Sequence, residues 1–306
     1  MKSSDASART TTPTPCADGG RRGFTLVELM VVLGIGVVLL SIFIPALSSL
    51  REGDRRIRCA DNLQQIHLAL QEYANRNNEH FPRVRYDETV NPDGYAAYTG
   101  ADASKPFSEN SAVKPNDVTA SMWLLVRLRL VRHTKFVCPS SHDTRDPLVD
   151  ASGKPVPLKQ RGNFRSPRHL SYSYSSPFSS APWYRMNDNQ PSEFALMADM
   201  SPGVAGRGDD VTGPAHDAPP LELARANSNN HHKAGQNVLY AAGYVAFQST
   251  PYCGMKGDNI FTALAPKPLQ PGEQPPPTGA GHWGNNIGPA WNADSYLVPT
   301  DDEGPR

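Results

Sequence analysis

The stretch Arg21–Leu50, RRGFTLVELMVVLGIGVVLLSIFIPALSSL, decides how this chain is organised. From Phe24 to Leu50 the only charged residue is Glu28. A helix rises about 1.5 Å per residue, so roughly 20 apolar residues cross a hydrocarbon core, and this run is long enough to cross once. Lys2, Arg9, Arg21 and Arg22 precede it, whereas Arg51, Arg55, Arg56 and Arg58 follow it interleaved with Glu52 and Asp54. The positive-inside rule favours a cytoplasmic N-terminus by a small margin. Glu28 sits near enough to the start of the run to reach the interface, and a carboxylate in a helix's first turn is favoured by the helix dipole.

Working outward, apolar residues recur at Ile57, Ala60, Leu63, Ile66, Leu70 and Tyr73, a helical spacing, with Arg58, Asp61, Gln64, Gln65 and Gln71 on the other face. One helix is expected from about Phe24 to about Arg76, amphipathic in its second half and stopped by Asn75, Asn77, Asn78 and Pro82. A secretory signal peptide fits poorly, because its apolar stretch is shorter and an A-x-A-like site should follow.

The string Arg21-Arg22-Gly23-Phe24-Thr25-Leu26-Val27-Glu28 resembles the processing site of type IV prepilins and type II secretion pseudopilins. The resemblance implies cleavage by prepilin peptidase after Gly23 and N-methylation of Phe24. It gives Glu28 the role of neutralising a neighbouring subunit's amine during assembly, and Pro45 that of the helix-kinking proline. A buried charge is tolerable when paired, and a proline inside a helix removes one backbone donor. The stretch from Arg58 to Pro82 also resembles the stems of prepilin-like proteins of a planctomycete-type subfamily, through Cys59, Asn62-Leu63, Gln65-Ile66, Leu68-Ala69-Leu70, Tyr73 and Phe81-Pro82. His232, nine residues, then Ala242-Gly243 is similar to that subfamily's H-x9-DG motif, with Ala242 in place of Asp.

The organisation that follows is a leader (1–23), a transmembrane helix segment (24–50), an amphipathic stem (51–80), a globular head (81–263) and a Pro/Gly-rich tail (264–306). The fold class is α+β and pilin-like: a long N-terminal helix packed on a small antiparallel β-sheet head with long loops. In the head, Ser121–Val131 reads as a short helix, Lys135–Pro139 as an extended piece and Ser171–Ser175 as an edge strand. Glu193–Met200 reads as a buried strand. Asn237–Ala241 and Tyr244–Gln248 read as a hairpin around a two-residue Ala242-Gly243 turn, in which Ala242 would carry a costly left-handed conformation. Most of 264–306 reads as irregular.

Composition narrows the function. Thirty basic against 30 acidic residues give no net charge, which excludes a nucleic-acid binder held by bulk charge. No G-x-S-x-G, H-E-x-x-H, G-x-x-x-x-G-K-[ST] or C-x-x-C motif occurs, and Ser140-Ser141-His142-Asp143 has triad residue types without triad geometry, so no enzyme is expected. Asp199, Asp209, Asp210 and Asp217 lie in or beside one loop and could hold calcium, as in some of the pseudopilins this chain resembles, though Asp is also an ordinary turn former. No other cofactor is expected. His231-His232 could bind a metal but read as polar loop residues before a strand. Of four cysteines, Cys16 lies in the leader; Cys138 and Cys253 are the expected disulfide within the head, leaving Cys59 free on the stem or pairing between subunits.

The resemblance thus implies a structural subunit of a type II secretion pseudopilus or type IV pilus-like filament. It would sit in a bacterial inner membrane by a single pass, with its head in the periplasm or at the cell surface. Its partners would be prepilin peptidase and other pilin or pseudopilin subunits. A membrane-anchored binding or adhesion module, using Trp183, Tyr184, Trp283 and Trp291, is the alternative.

Overall fold

The computed structural model describes residues 23–89, 95–150, 152–181, 183–203, 213–263, 289 and 291–301, the side chains of 42 and 44–49 excepted. The chain divides into two units, Met1–Ser49 and Leu50–Arg306. Helix α1 runs Leu26–Arg76. In the first unit its described apolar side chains, from Leu26 through Val32 and Val38 to Phe43, are exposed. Among the described residues no helix is long and apolar enough to cross a membrane; the apolar run 24–50 includes residues 42 and 44–49, which lie outside that description.

In the second unit α1 buries Cys59, Leu63, Ile66, Ala69, Leu70, Tyr73 and Ala74. The expected stripe is rotated at its upper end: Ile57 is 71% exposed and Cys59 is fully buried. The helix stops where Asn78 and Glu79 turn left-handed, at φ 53° and 65°, just before Pro82.

The head is built on five antiparallel strands: β1 (Tyr172–Ser175), β2 (Ala195–Asp199), β3 (Gln236–Tyr240), β4 (Val245–Gln248) and β5 (Leu297–Val298), ordered β4-β3-β2-β1-β5. One face, with Tyr172, Tyr174, Met197, Leu239 and Val298, belongs to the core that includes Cys59, Leu63, Ile66 and Leu70 of α1. The other, with Ala198, Val238, Tyr240 and Leu297, packs against Ile260 and Phe261. A register shift between Ala195 and Met197 puts Ala195 on this second face with Ala198, so β2 is buried on both sides. Helix α2 (Val118–Arg127) begins at Asp117, whose carboxylate accepts from the Ala120 N–H at 2.8 Å, and a short α3 spans Pro220–Arg225.

Three expectations are corrected. Residues 133–136 wind into a 3-10 turn and are not extended. Strand β1 is not an edge: Tyr174 pairs with Val298 and Ser175 with Leu297, so part of the stretch read as tail closes the sheet. Tyr296, Leu297 and Val298 are nearly fully buried, and that burial holds residues 291–301 to the head against their polar, Pro-containing flanks. The β3–β4 turn has three residues. Gly243 N–H donates to the Tyr240 carbonyl and Tyr240 N–H to the Tyr244 carbonyl, and Gly243 alone takes the left-handed φ, 87°. Ala242 is therefore not strained. A Cβ on Gly243 would lie 2.7 Å from His67 Nε2, so the stem crowds the turn as well.

Asp258, two residues before Ile260, and Asp294 are buried carboxyl groups. Burial first, and then the Asp294 charge, push the Asp258 carboxyl well above the usual range, against hydrogen bonds from the Ser295 and Asn259 backbone. The folded state therefore keeps a proton that the unfolded chain releases at an ordinary carboxylate pKa of about 4. The contribution of this group to stability therefore falls as pH rises from there toward the raised value. An Asp258→Asn chain is expected to gain in urea midpoint on the wild type as pH goes from about 4 to 7. Parallel pH curves for the two chains would contradict this.

Candidate functional site

The first site lies at the start of α1. Thr25 is its cap and Glu28 the third helical residue. The Thr25 N–H donates to Glu28 Oε2 at 2.8 Å, its hydroxyl donates to the same oxygen at 2.9 Å, and the Glu28 N–H donates to Thr25 Oγ1 at 3.2 Å. This reciprocal capping box satisfies donors that the helix end leaves open. Gly23 and Phe24 precede the helix and are exposed. Pro45 lies within the span of α1, its side chain outside the described ones.

The second site was not visible as a motif. Cys59 of α1, Cys138 after the 3-10 turn, Asp199 at the end of β2 and His231 before β3 bring Sγ, Sγ, a carboxylate oxygen and an imidazole nitrogen within 4.8 Å of one another. None of the four is more than 1% exposed. Cys59 Sγ lies 3.0 Å from Asp199 Oδ1, Cys138 Sγ 3.5 Å from His231 Nε2, and His231 Nε2 3.2 Å from Asp199 Oδ2. His231 is delivered by a turn in which His231, His232 and Lys233 all take left-handed φ, 54°, 57° and 59°. Each such residue costs roughly 1–2 kcal/mol.

Around these four stands a complete polar shell. His231 Nδ1 is 2.6 Å from Glu52 Oε1. Tyr172 donates its hydroxyl to Cys59 Sγ at 3.3 Å, and the Ser140 N–H donates to Cys138 Sγ at 3.4 Å. Asp199 accepts from the Asn237 N–H at 2.7 Å and from Asn230 Nδ2 at 3.1 Å. Burial opposes charge on both His231 and Asp199, but each offsets it in the other: the imidazolium is pushed up to about 11 and the carboxyl is held below its usual range. Burial pushes the Cys59 thiol well up.

The residues read from sequence are placed as follows. Asp199 is in this cluster; Asp209 and Asp210 lie outside the described residues, and Asp217 is exposed, so the described acidic residues of that loop do not converge. His232 is exposed, its Nε2 3.8 Å from Glu52 Oε2; it is His231 that enters the core. Cys138 and Cys253 are free thiols in different surroundings: Cys138 faces Cys59 and His231, whereas Cys253 lies by Tyr240 and Pro251. The disulfide expected between them is absent. Tyr184 is 4% exposed and Trp183 is partly buried against the core; Trp283 lies outside the described residues. The cluster escaped sequence reading because its members are dispersed over four elements. The one local signal was Cys138 before Pro139 together with the His pair before a strand.

Residues 19–44 match the family described as the prokaryotic N-terminal methylation motif. No curated protein and no solved structure matches the chain. The N-terminus thus carries a prepilin-type processing motif, joined to an α+β head.

Proposed function

We propose that this chain is a structural subunit of a prepilin-processed filament, cut after Gly23, methylated on Phe24 and built into a filament by the apolar half of α1. The observation that carries this reading is the methylation-motif match over residues 19–44. Two features support it. The helix starts two residues beyond the scissile position, so cleavage frees an amine next to the Thr25–Glu28 cap. The apolar side chains of the first unit are exposed along its described length, and lipid and then neighbouring stems would cover them. The chain catalyses nothing. Between filament classes we favour a secretion pseudopilus over an adhesive pilus.

In this mechanism Glu28 exchanges its own cap for the methylated amine of an adjacent subunit, a pairing that becomes strong in an apolar bundle. Glu28→Ala should therefore be cut and methylated normally while filament yield collapses, with processed monomer accumulating in the membrane. Sheared-filament yield alongside immunoblots of processed chain reads this directly. Normal yield from the variant would remove the role given to Glu28. A comparison of exported proteins between a deletion strain and its parent tests the secretion class. A defined set held back in the envelope is expected, and unchanged export would point to adhesion.

A further inference from the structure

We propose that Cys59, Cys138, Asp199 and His231 form a closed, structural zinc site that pins the stem portion of α1 to the sheet. The proposal stands apart from the filament reading: it concerns the second unit alone.

Geometry argues first. In a tetrahedral site with Zn–S of about 2.3 Å and Zn–N or Zn–O of about 2.0–2.2 Å, neighbouring donor atoms sit roughly 3.2–3.8 Å apart. The observed separations of 3.5 Å for Cys138 Sγ to His231 Nε2 and 3.2 Å for His231 Nε2 to Asp199 Oδ2 fall in that range. Cys59 Sγ lies 3.0 Å from the other carboxylate oxygen, Oδ1, and one donor atom from each of the four residues falls within 4.8 Å of the rest. Two thiolates, one imidazole and one carboxylate form a donor set that suits zinc and disfavours calcium or magnesium, which take oxygen. Four protein donors leave no open position, so the site is structural.

The surroundings argue second. A metal-bound histidine characteristically donates its other ring N–H to a carboxylate, which fixes the tautomer. Glu52 Oε1 stands 2.6 Å from His231 Nδ1, placed to accept that N–H, which leaves Nε2 to face Asp199 and Cys138. The Tyr172 hydroxyl, the Ser140 N–H and the Asn237 and Asn230 amides support the other three donors. Loading with Zn²⁺ sends the protons of both thiols and of the imidazolium to solvent, and the ion's two charges then offset two of the three anionic donors. Glu52 adds another negative charge, and Arg55 and Arg56 face it at 3.7 and 3.8 Å.

The backbone argues third. Three consecutive left-handed non-glycine residues are costly, and such strain persists where surrounding structure over-determines it. Here the turn aims His231 inward and leaves His232 outside. The bond to zinc would supply what the strained turn costs, and link α1, β2 and the approach to β3 at one point.

The test uses the full chain, purified in detergent without chelator or added metal. Elemental analysis should give about one zinc per chain. Titrating the thiols with a mercurial should release that zinc in step with modification of Cys59 and Cys138. Replacement by Co²⁺ should give thiolate-to-cobalt charge transfer and tetrahedral d–d bands. Cys59→Ser and Cys138→Ser should lose the metal and Cys253→Ser should keep it. The thiol titration on the unaltered chain decides the matter if either serine variant fails to fold. A chain that takes up neither zinc nor cobalt, thiols that titrate with no zinc released, or a Cys59–Cys138 disulfide in the peptide mass map would overturn the proposal.

Discussion

A Gly23→Val chain is expected to retain its leader completely and accumulate in its full-length form. Among the described residues a Cβ at Gly23 meets no atom within 4 Å, and the residue lies outside α1. Any loss of processing therefore reports on the peptidase's fit to the scissile position. The same chain should expose no methylated Phe24 and enter no filament, because the amine proposed to pair with Glu28 never forms. An immunoblot separating full-length from shortened chain gives the result at once. Normal shortening of Gly23→Val would mean that the cut lies elsewhere.

The largest effect on stability is expected at Trp123. Its ring is fully buried on α2, edge-on to Phe164 with centroids 4.9 Å apart, and the Phe164 ring in turn meets Phe136 at 5.1 Å. Its indole N–H donates to the Arg161 carbonyl at 3.2 Å, and the Arg161 guanidinium lies 5.5 Å from the ring centre. Arg161 is itself fully buried and bonded to Asp146 at 2.7 Å. Trp123→Ala removes the ring, leaves a cavity and opens this buried ion pair to rearrangement. Truncating a buried tryptophan costs about 3–5 kcal/mol. Domains are stable by only about 5–15 kcal/mol, so much of the head's margin would go. Trp123→Phe keeps most of the packing and loses mainly one hydrogen bond, worth about 1 kcal/mol. Urea unfolding of the two variants should separate them by that difference. A loss under about 1 kcal/mol for the alanine chain would show that the α2 core tolerates repacking.

What could be read in advance follows from range along the chain. The long helix was legible because its signals are local: the Thr25–Glu28 box opens it, and Asn77, Asn78 and Pro82 close it. The β3–β4 hairpin was legible for the same reason, though the two-residue turn that its sequence suggests is one residue too short. Gly243 supplies the only left-handed position that turn needs. The partner of β1 was not legible. Leu297 and Val298 form a two-residue strand more than 120 positions away, following a stretch rich in proline and glycine. Nor was the cysteine–histidine cluster, since sequence spacing says nothing about four residues brought together by a helix, a 3-10 turn and the ends of two strands. The disulfide expected between Cys138 and Cys253 follows from both lying in the head, and the fold instead places Cys138 against Cys59.

The central claim is that this chain enters a filament through a processed N-terminus. Mass spectrometry of the N-terminal peptide, taken from membranes of cells that hold prepilin peptidase, tests it most directly. The account predicts a peptide that begins at Phe24 and carries one methyl group on its amine. A mature chain that begins at Met1, or at any residue other than Phe24, would contradict it.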